Sequence, residues 1–163
     1  MKGSSFNYVD YVEKDSFEIK KLLADLLLGT FDGSKVIPEE LDIEEIMYIS
    51  DFEVLEKLCE SFSVFQRLEF SEPWRKTKDT RLKIRKLNSY LKDLCAYTCY
   101  CTKYTHVSFL QTFWETEEGR VELLEGSDVC DSCLCKCIQC KRMFKVNYSL
   151  DFMGYDNYEW QVA

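Results

Sequence analysis

The chain is poor in the residues that break or loosen structure. It has two prolines and six glycines in 163 residues, which excludes collagenous, low-complexity and linker-dominated architectures. Long hydrophobic runs are missing as well. Stretches such as Leu26-Leu27-Leu28 fall far short of the roughly 20 apolar residues of a membrane span. The opening Met1-Lys2-Gly3-Ser4-Ser5-Phe6 lacks the apolar stretch of a secretory signal, so the expectation is an intracellular protein of cytoplasm or nucleus, not secreted. There is one histidine, His106, which removes most histidine-based catalysis. No glycine-rich phosphate loop or nucleophile elbow occurs. With 46% apolar and 31% charged residues, the chain is long enough to bury a core and is not globally disordered.

Cysteine, in contrast, is abundant. There are nine, and eight of them fall between Cys95 and Cys140. An odd total in an intracellular protein argues against a disulfide scaffold, and clustering argues against use as scattered core residues. Metal binding is the economical reading. Cys59 stands apart on an apolar stripe and reads as a small core hydrophobe.

The net charge of −8 is unevenly spread. Residues 1–73 carry 7 basic and 17 acidic side chains, net −10, and residues 74–94 carry 8 against 2, net +6. Residues 95–163 carry 6 against 10, net −4. An acidic body with one basic stretch is a poor general nucleic-acid binder, because neutralising phosphates needs a dominant positive field. The basic residues Lys83, Arg85, Lys86 and Lys92 either dock on the acidic segment, the favoured reading, or contact RNA or DNA.

The first 94 residues read as a helical domain. Asp15 or Ser16 can cap a helix with apolar positions Ile19, Leu22, Leu23, Leu26 and Leu27, ended by Gly29. A second helix is predicted to begin at Pro38 and to use Leu41, Ile43, Ile46, Met47 and Ile49. Ser50 with Glu53 resembles a capping box opening a third, whose stripe is Leu55, Leu58, Cys59, Phe62 and Phe65. Pro73 punctuates the chain, and a fourth helix from about Asp79 to Leu94 buries Ile84, Leu87, Leu91 and Leu94. From Cys95 the pattern shifts to short alternating segments. Strands are predicted at Tyr104–Phe109, around Val121–Leu123 before the Gly126-Ser127 turn, and at Phe144–Tyr148. The expected fold is α+β: an acidic bundle of three or four short helices over 1–94, then a small β-rich two-zinc module with an aromatic tail over 95–163.

The donor spacing is Cys95-x3-Cys99-x-Cys101-x4-His106, then Cys130-x2-Cys133-x-Cys135-x-Cys137-x2-Cys140. Tetrahedral zinc needs four nitrogen or sulfur donors, and two cysteines on a tight turn present both sulfurs to one ion. Two zinc ions are expected, held by Cys95, Cys99, Cys101, His106, Cys130, Cys133, Cys137 and Cys140, with Cys135 left over. Two pairings are open. Cys99 and Cys101 join Cys137 and Cys140, leaving Cys95, His106, Cys130 and Cys133 for a second ion; or they join Cys130 and Cys133, leaving a looser site. Such cysteine-rich, histidine-poor sites are commonly structural. The deaminase and metalloprotease patterns are absent, so no enzyme activity is expected. An iron centre would use the same ligands.

The run Cys137-Ile-Gln-Cys140-Lys-Arg-Met-Phe-Lys145-Val146-Asn-Tyr148, with Tyr97-Thr-Cys99-Tyr-Cys101 and the lead-in Glu125-Gly-Ser-Asp128-Val, resembles the CSL-type zinc fingers of diphthamide-biosynthesis accessory proteins. That resemblance implies a redox or metal-donor role. The arrangement Cys135-Lys-Cys137-Ile-Gln-Cys140-Lys-Arg-Met-Phe144 after a helical half is similar in architecture to the zinc region of polyomavirus small t antigens. This second resemblance implies a non-enzymatic viral accessory protein engaging a host factor. Three alanines beside abundant Lys, Phe and Tyr fit an AT-rich genome such as many viruses carry.

The leading expectation is therefore a zinc-stabilised regulatory protein acting through a protein partner. Trp114, Tyr155, Tyr158 and Trp160 are the candidate aromatic hot spots; the alternative for these rings is to complete the core of the small module. Nucleic-acid binding and a redox or metal-donor role are the competing readings.

Overall fold

The computed structural model describes residues 17–108, 110–126 and 132–163. The architecture is α+β, with helices first and a four-stranded antiparallel sheet in the C-terminal part. The chain divides into two compact units between Tyr100 and Cys101. Among the described residues, no helix is long and apolar enough to cross a membrane.

In the first unit, α1 (Phe17–Leu28) buries Ile19, Leu22 and Leu26. The face is narrower than the predicted stripe, since Leu27 is exposed. The helix ends as the glycine signal predicts: Gly29 has a positive φ of 72°, its N–H donates to Leu26 O, and that of Thr30 donates to Asp25 O. These paired bonds satisfy carbonyls that the helix end would otherwise leave without donors. The predicted caps Asp15 and Ser16 lie outside the described residues.

Aspartates decide the next two helix starts. The helix expected from Pro38 begins later, as α2 (Ile43–Met47), because the Asp42 carboxylate accepts from Glu44 N–H at 2.9 Å. Pro38 instead lies in a turn closed by Glu40 N–H and Leu41 N–H donating to Ile37 O. Likewise Asp51, not Ser50, caps α3 (Phe52–Glu60), accepting from Val54 N–H at 3.1 Å. A free carboxylate is a strong acceptor for first-turn amides and also complements the helix dipole. The predicted single third helix is broken at Ser61, whose N–H bonds back to Lys57 O and Leu58 O, and resumes as α4 (Phe62–Leu68).

Pro73 does not break the chain. It sits in the first turn of α5 (Glu72–Arg75), where a missing N–H costs nothing. Trp74 of that short helix is buried. The longest helix, α6 (Lys78–Ala96), opens with a reciprocal Thr77–Thr80 capping box and packs against α2, α3, α4 and α5. Its inner face is Ile84, Leu87, Tyr90, Leu91 and Leu94, all fully buried.

In the second unit, α7 (Thr112–Glu117) precedes a meander of β1 (Val121–Gly126), β2 (Ser132–Cys137), β3 (Met143–Leu150) and β4 (Asp156–Val162), ordered β1-β2-β3-β4. Strands predicted near Val121 and at Phe144–Tyr148 are present. The strand predicted at Tyr104–Phe109 is not found over its described residues: Tyr100–Thr105 forms a 3-10 helix, and Phe109 lies outside the described residues. Within the predicted segment Thr105 is exposed and Val107 buried, although strand alternation would set both on one face. The aromatic tail is β4, which pairs with β3 in a register that sets Val146 against Trp160.

Candidate metal centre

Two turns bring sulfur together. The first lies where Cys99 and Cys101 straddle the entry to the 3-10 helix, with Cys99 N–H donating to Tyr97 O at 2.7 Å. The second closes the β2–β3 connection. Cys137 ends β2 and its N–H donates to Arg142 O, while Lys141 N–H donates back to Cys137 O at 3.0 Å. This tight turn puts Lys141 at φ 67°, the left-handed region that favours glycine. Its ammonium donates to Ile138 O at 2.7 Å, adding a tether across the same turn.

The result is a four-sulfur cluster. The Sγ atoms of Cys99, Cys101, Cys137 and Cys140 all lie within 4.8 Å of one another, the first three residues buried and Cys140 exposed. Cys101 and Cys140 sulfurs are 3.4 Å apart. A zinc ion with Zn–S bonds of about 2.3 Å has a tetrahedron edge of about 3.8 Å, which lies between these separations. The cluster can hold a metal ion, and it matches the first of the two pairings that the spacing left open.

The donors expected at a second ion are differently placed. Cys95 is exposed in the last turn of α6, and its thiol lies 3.8 Å from the carbonyl of Cys59. Partial burial and the adjacent Cys59 thiol push the Cys95 thiol up to about 12. Cys133 is buried in the sheet, 3.9 Å from Thr112 Oγ1 and 3.6 Å from the sulfur of Cys135. His106 is half-buried in the turn after the 3-10 helix, with its N–H donating to Lys103 O. Cys130 lies outside the described residues. Among the described residues, the Cys99–Cys101–Cys137–Cys140 cluster is the one group of three or more potential ligands that converges. Cys135, expected to be a bystander, is fully buried beneath the sheet and shares its face with Cys133 and Cys137.

The aromatic candidates divide. Trp160 is no surface hot spot: it is 3% exposed, stacks on Tyr104 at 4.3 Å and donates from Nε1 to Leu110 O at 2.8 Å. It completes the sheet's core because β4 adds the last strand over Phe144. Trp114 is half-buried against Phe113, and Tyr158 is half-buried against Tyr148. Burial, with the Asp156 carboxylate nearby, raises the Tyr158 hydroxyl above its ordinary pKa. Tyr155 is exposed.

A group not singled out by the sequence surrounds Tyr155. The β3–β4 turn exposes Leu150, Phe152 and Met153 with it, Phe152 at 97%. Asp151 organises the turn by accepting from Met153 N–H and Tyr155 N–H at 2.8 and 2.9 Å. The Asp-x-x-Gly-Tyr order before an alternating aromatic segment was the available signal for a hairpin.

The basic candidates are largely committed within the helical unit. Lys83 donates to Pro38 O at 2.7 Å, Arg85 pairs with Glu69 at 3.2 Å, and Lys86 pairs with Glu44 at 3.6 Å. Lys92 is exposed. A further buried network escaped notice in the sequence. The Glu115 carboxylate, fully buried, accepts from Tyr104 OH at 2.6 Å and from Arg120 Nε at 2.8 Å.

Comparison with protein-family models, with curated proteins and with solved structures found no match to this chain.

Proposed function

We propose that this is a non-enzymatic zinc protein whose four-cysteine centre fastens the start of the β-module to its sheet, and that the module works by binding a protein partner. The observation that carries the reading is the convergence of Cys99, Cys101, Cys137 and Cys140. Four cysteine ligands complete a tetrahedral shell and leave no position for a substrate or an activated water, the arrangement of structural rather than catalytic zinc. Zinc bound there would link the chain at Cys99–Cys101 to the β2–β3 turn and so close a loop of about forty residues.

The surface that fits the binding role is the β3–β4 turn. Its backbone is fixed by Asp151, so Phe152 and Met153 are presented with little ordering cost on binding. The nucleic-acid reading is less well supported, because Lys83, Arg85 and Lys86 already serve acceptors within their own unit. The test compares wild type with a Phe152→Ser/Met153→Ser variant by proximity labelling in cells. The variant is expected to keep zinc and thermal stability but to lose specific neighbours. An unchanged set of neighbours would overturn the assignment of this surface, and a wild type without zinc would overturn the metal reading.

A further inference from the structure

We propose that Cys59 and Cys95 form a second thiol site, independent of the metal centre, that closes to a disulfide when it meets a small-molecule disulfide of the glutathione type. The two residues are 36 apart in sequence yet adjacent in the helical unit, on α3 and on the last turn of α6, which pack together. Cys95 S–H points to Cys59 O at 3.8 Å, and the Cys59 thiol is close enough to perturb that of Cys95. On the other side, Cys59 Sγ lies 3.9 Å from Thr98 Oγ1, and Thr98 in turn bonds to Leu94 O at 3.4 Å. Both thiols therefore lie at the contact between α3 and the end of α6, Cys95 against the Cys59 backbone and Cys59 against Thr98.

Access separates this pair from the buried cysteines of the sheet, and the exposed Cys140 belongs to the four-sulfur cluster. Cys95 is exposed and Cys59 half-buried, whereas Cys133 and Cys135 are buried in the sheet. No third donor joins Cys59 and Cys95 among the described residues, so the pair does not make a zinc shell. Thiol–disulfide exchange needs an accessible sulfur and a second thiol in reach, and both conditions are met here. The Cys95 thiol, pushed up to about 12 by partial burial and by Cys59, rests protonated, and its exchange quickens as the pH is raised.

The chemistry balances as two exchanges. One protein thiolate attacks a sulfur of the external disulfide, breaks its S–S bond and expels one small thiolate, leaving a mixed disulfide. The second protein thiolate attacks the protein sulfur of that bond and expels the other small thiolate. The two protein protons end on the two released thiols. The external disulfide is reduced by two electrons and the Cys59–Cys95 pair is oxidised by two. The new bond ties α3 to the end of α6, immediately before the segment that carries Cys99 and Cys101.

The experiment treats the full, zinc-loaded chain with oxidised glutathione at mildly alkaline pH, blocks free thiols, and maps peptides without reduction while zinc release is followed. The expected result is a Cys59–Cys95 cross-linked peptide, loss of two hydrogens from the intact mass, retained zinc, and full reversal by dithiothreitol. In Cys59→Ser, Cys95 is expected to hold an unresolved glutathione adduct. Zinc release while Cys59 and Cys95 remain free thiols would overturn the proposal. So would a bond from Cys95 to any other cysteine, or a resolved intramolecular disulfide of Cys95 in Cys59→Ser.

Discussion

Replacing Trp160 with alanine tests whether the aromatic tail is core or contact surface. The indole is 3% exposed, stacked on Tyr104, edge-on to Phe144 and hydrogen-bonded to Leu110 O. Removing a buried tryptophan costs about 3–5 kcal/mol in transfer and cavity terms. The carbonyl of Leu110 loses its donor at the same time, which adds about 1 kcal/mol or more. Against a typical stability of about 5–15 kcal/mol, this takes most of what a small domain has. Trp160→Phe keeps an aromatic ring against Tyr104 but gives up the Nε1 bond and the indole's second ring, so its expected cost is intermediate, about 2–3 kcal/mol. Amide hydrogen exchange resolved to peptides is the suitable assay, because it reports β3 and β4 apart from the helices. In Trp160→Ala, exchange protection of 143–150 and 156–162 should collapse while that of 78–96 persists. A Trp160→Ala protein with wild-type protection and zinc content would refute the reasoning and make Trp160 a contact residue instead. Phe152→Ala, at a 97% exposed position, is the matched control and should change stability by less than about 0.5 kcal/mol.

Other expectations follow from the same geometry. Lys141→Gly relieves the positive φ of 67° but gives up the bond to Ile138 O, so it should be nearly neutral in thermal melts. Lys141→Val, whose β-branch resists that conformation, should lose about 1–2 kcal/mol. Glu115→Ala removes the carboxylate shared by Tyr104 and Arg120, and breaking a buried pair of this kind should cost about 3–5 kcal/mol in chemical denaturation. A chelator should abolish protection in the sheet and leave α6 protected, as seen by exchange; simultaneous loss in both units would contradict a local role for the metal. RNA and DNA binding should be undetectable by fluorescence anisotropy at about 50 mM salt, a condition that favours phosphate contacts. Tight, salt-dependent binding lost on Lys92→Glu would reverse that reading.

Much of the helical unit was legible because its signals are local. Ile19, Leu22 and Leu26 repeat at helical spacing, and Gly29 marks the helix end by a conformation that glycine adopts freely. Helix starts were misplaced at Pro38 and Ser50 because two candidate caps lay close together, and the neighbouring aspartates, Asp42 and Asp51, captured the amides. In the β-module the balance shifts to long-range contacts. The alternation of Tyr104–Phe109 imitates a strand, but the chain runs as a 3-10 helix through Thr105, and Thr105 is exposed while Val107 is buried. Nothing local distinguishes Trp160 in a core from Trp160 at an interface, since its partners Tyr104 and Leu110 come from some fifty residues earlier. Cysteine spacing revealed the chelating turns but could not tell that Cys95 lies beside Cys59 on neighbouring helices. The need for positive φ at Lys141 left no trace at all, because the residue usually found there is glycine.

Cys99, Cys101, Cys137 and Cys140 form a cluster that can hold a metal ion, proposed above to be one zinc. Native mass spectrometry with elemental analysis, on full-length chain purified without added metal, tests it directly when wild type and Cys137→Ser are run side by side. The account predicts zinc in the wild type and one equivalent fewer in the variant. A wild type free of metal, or equal zinc in the two proteins, would contradict it.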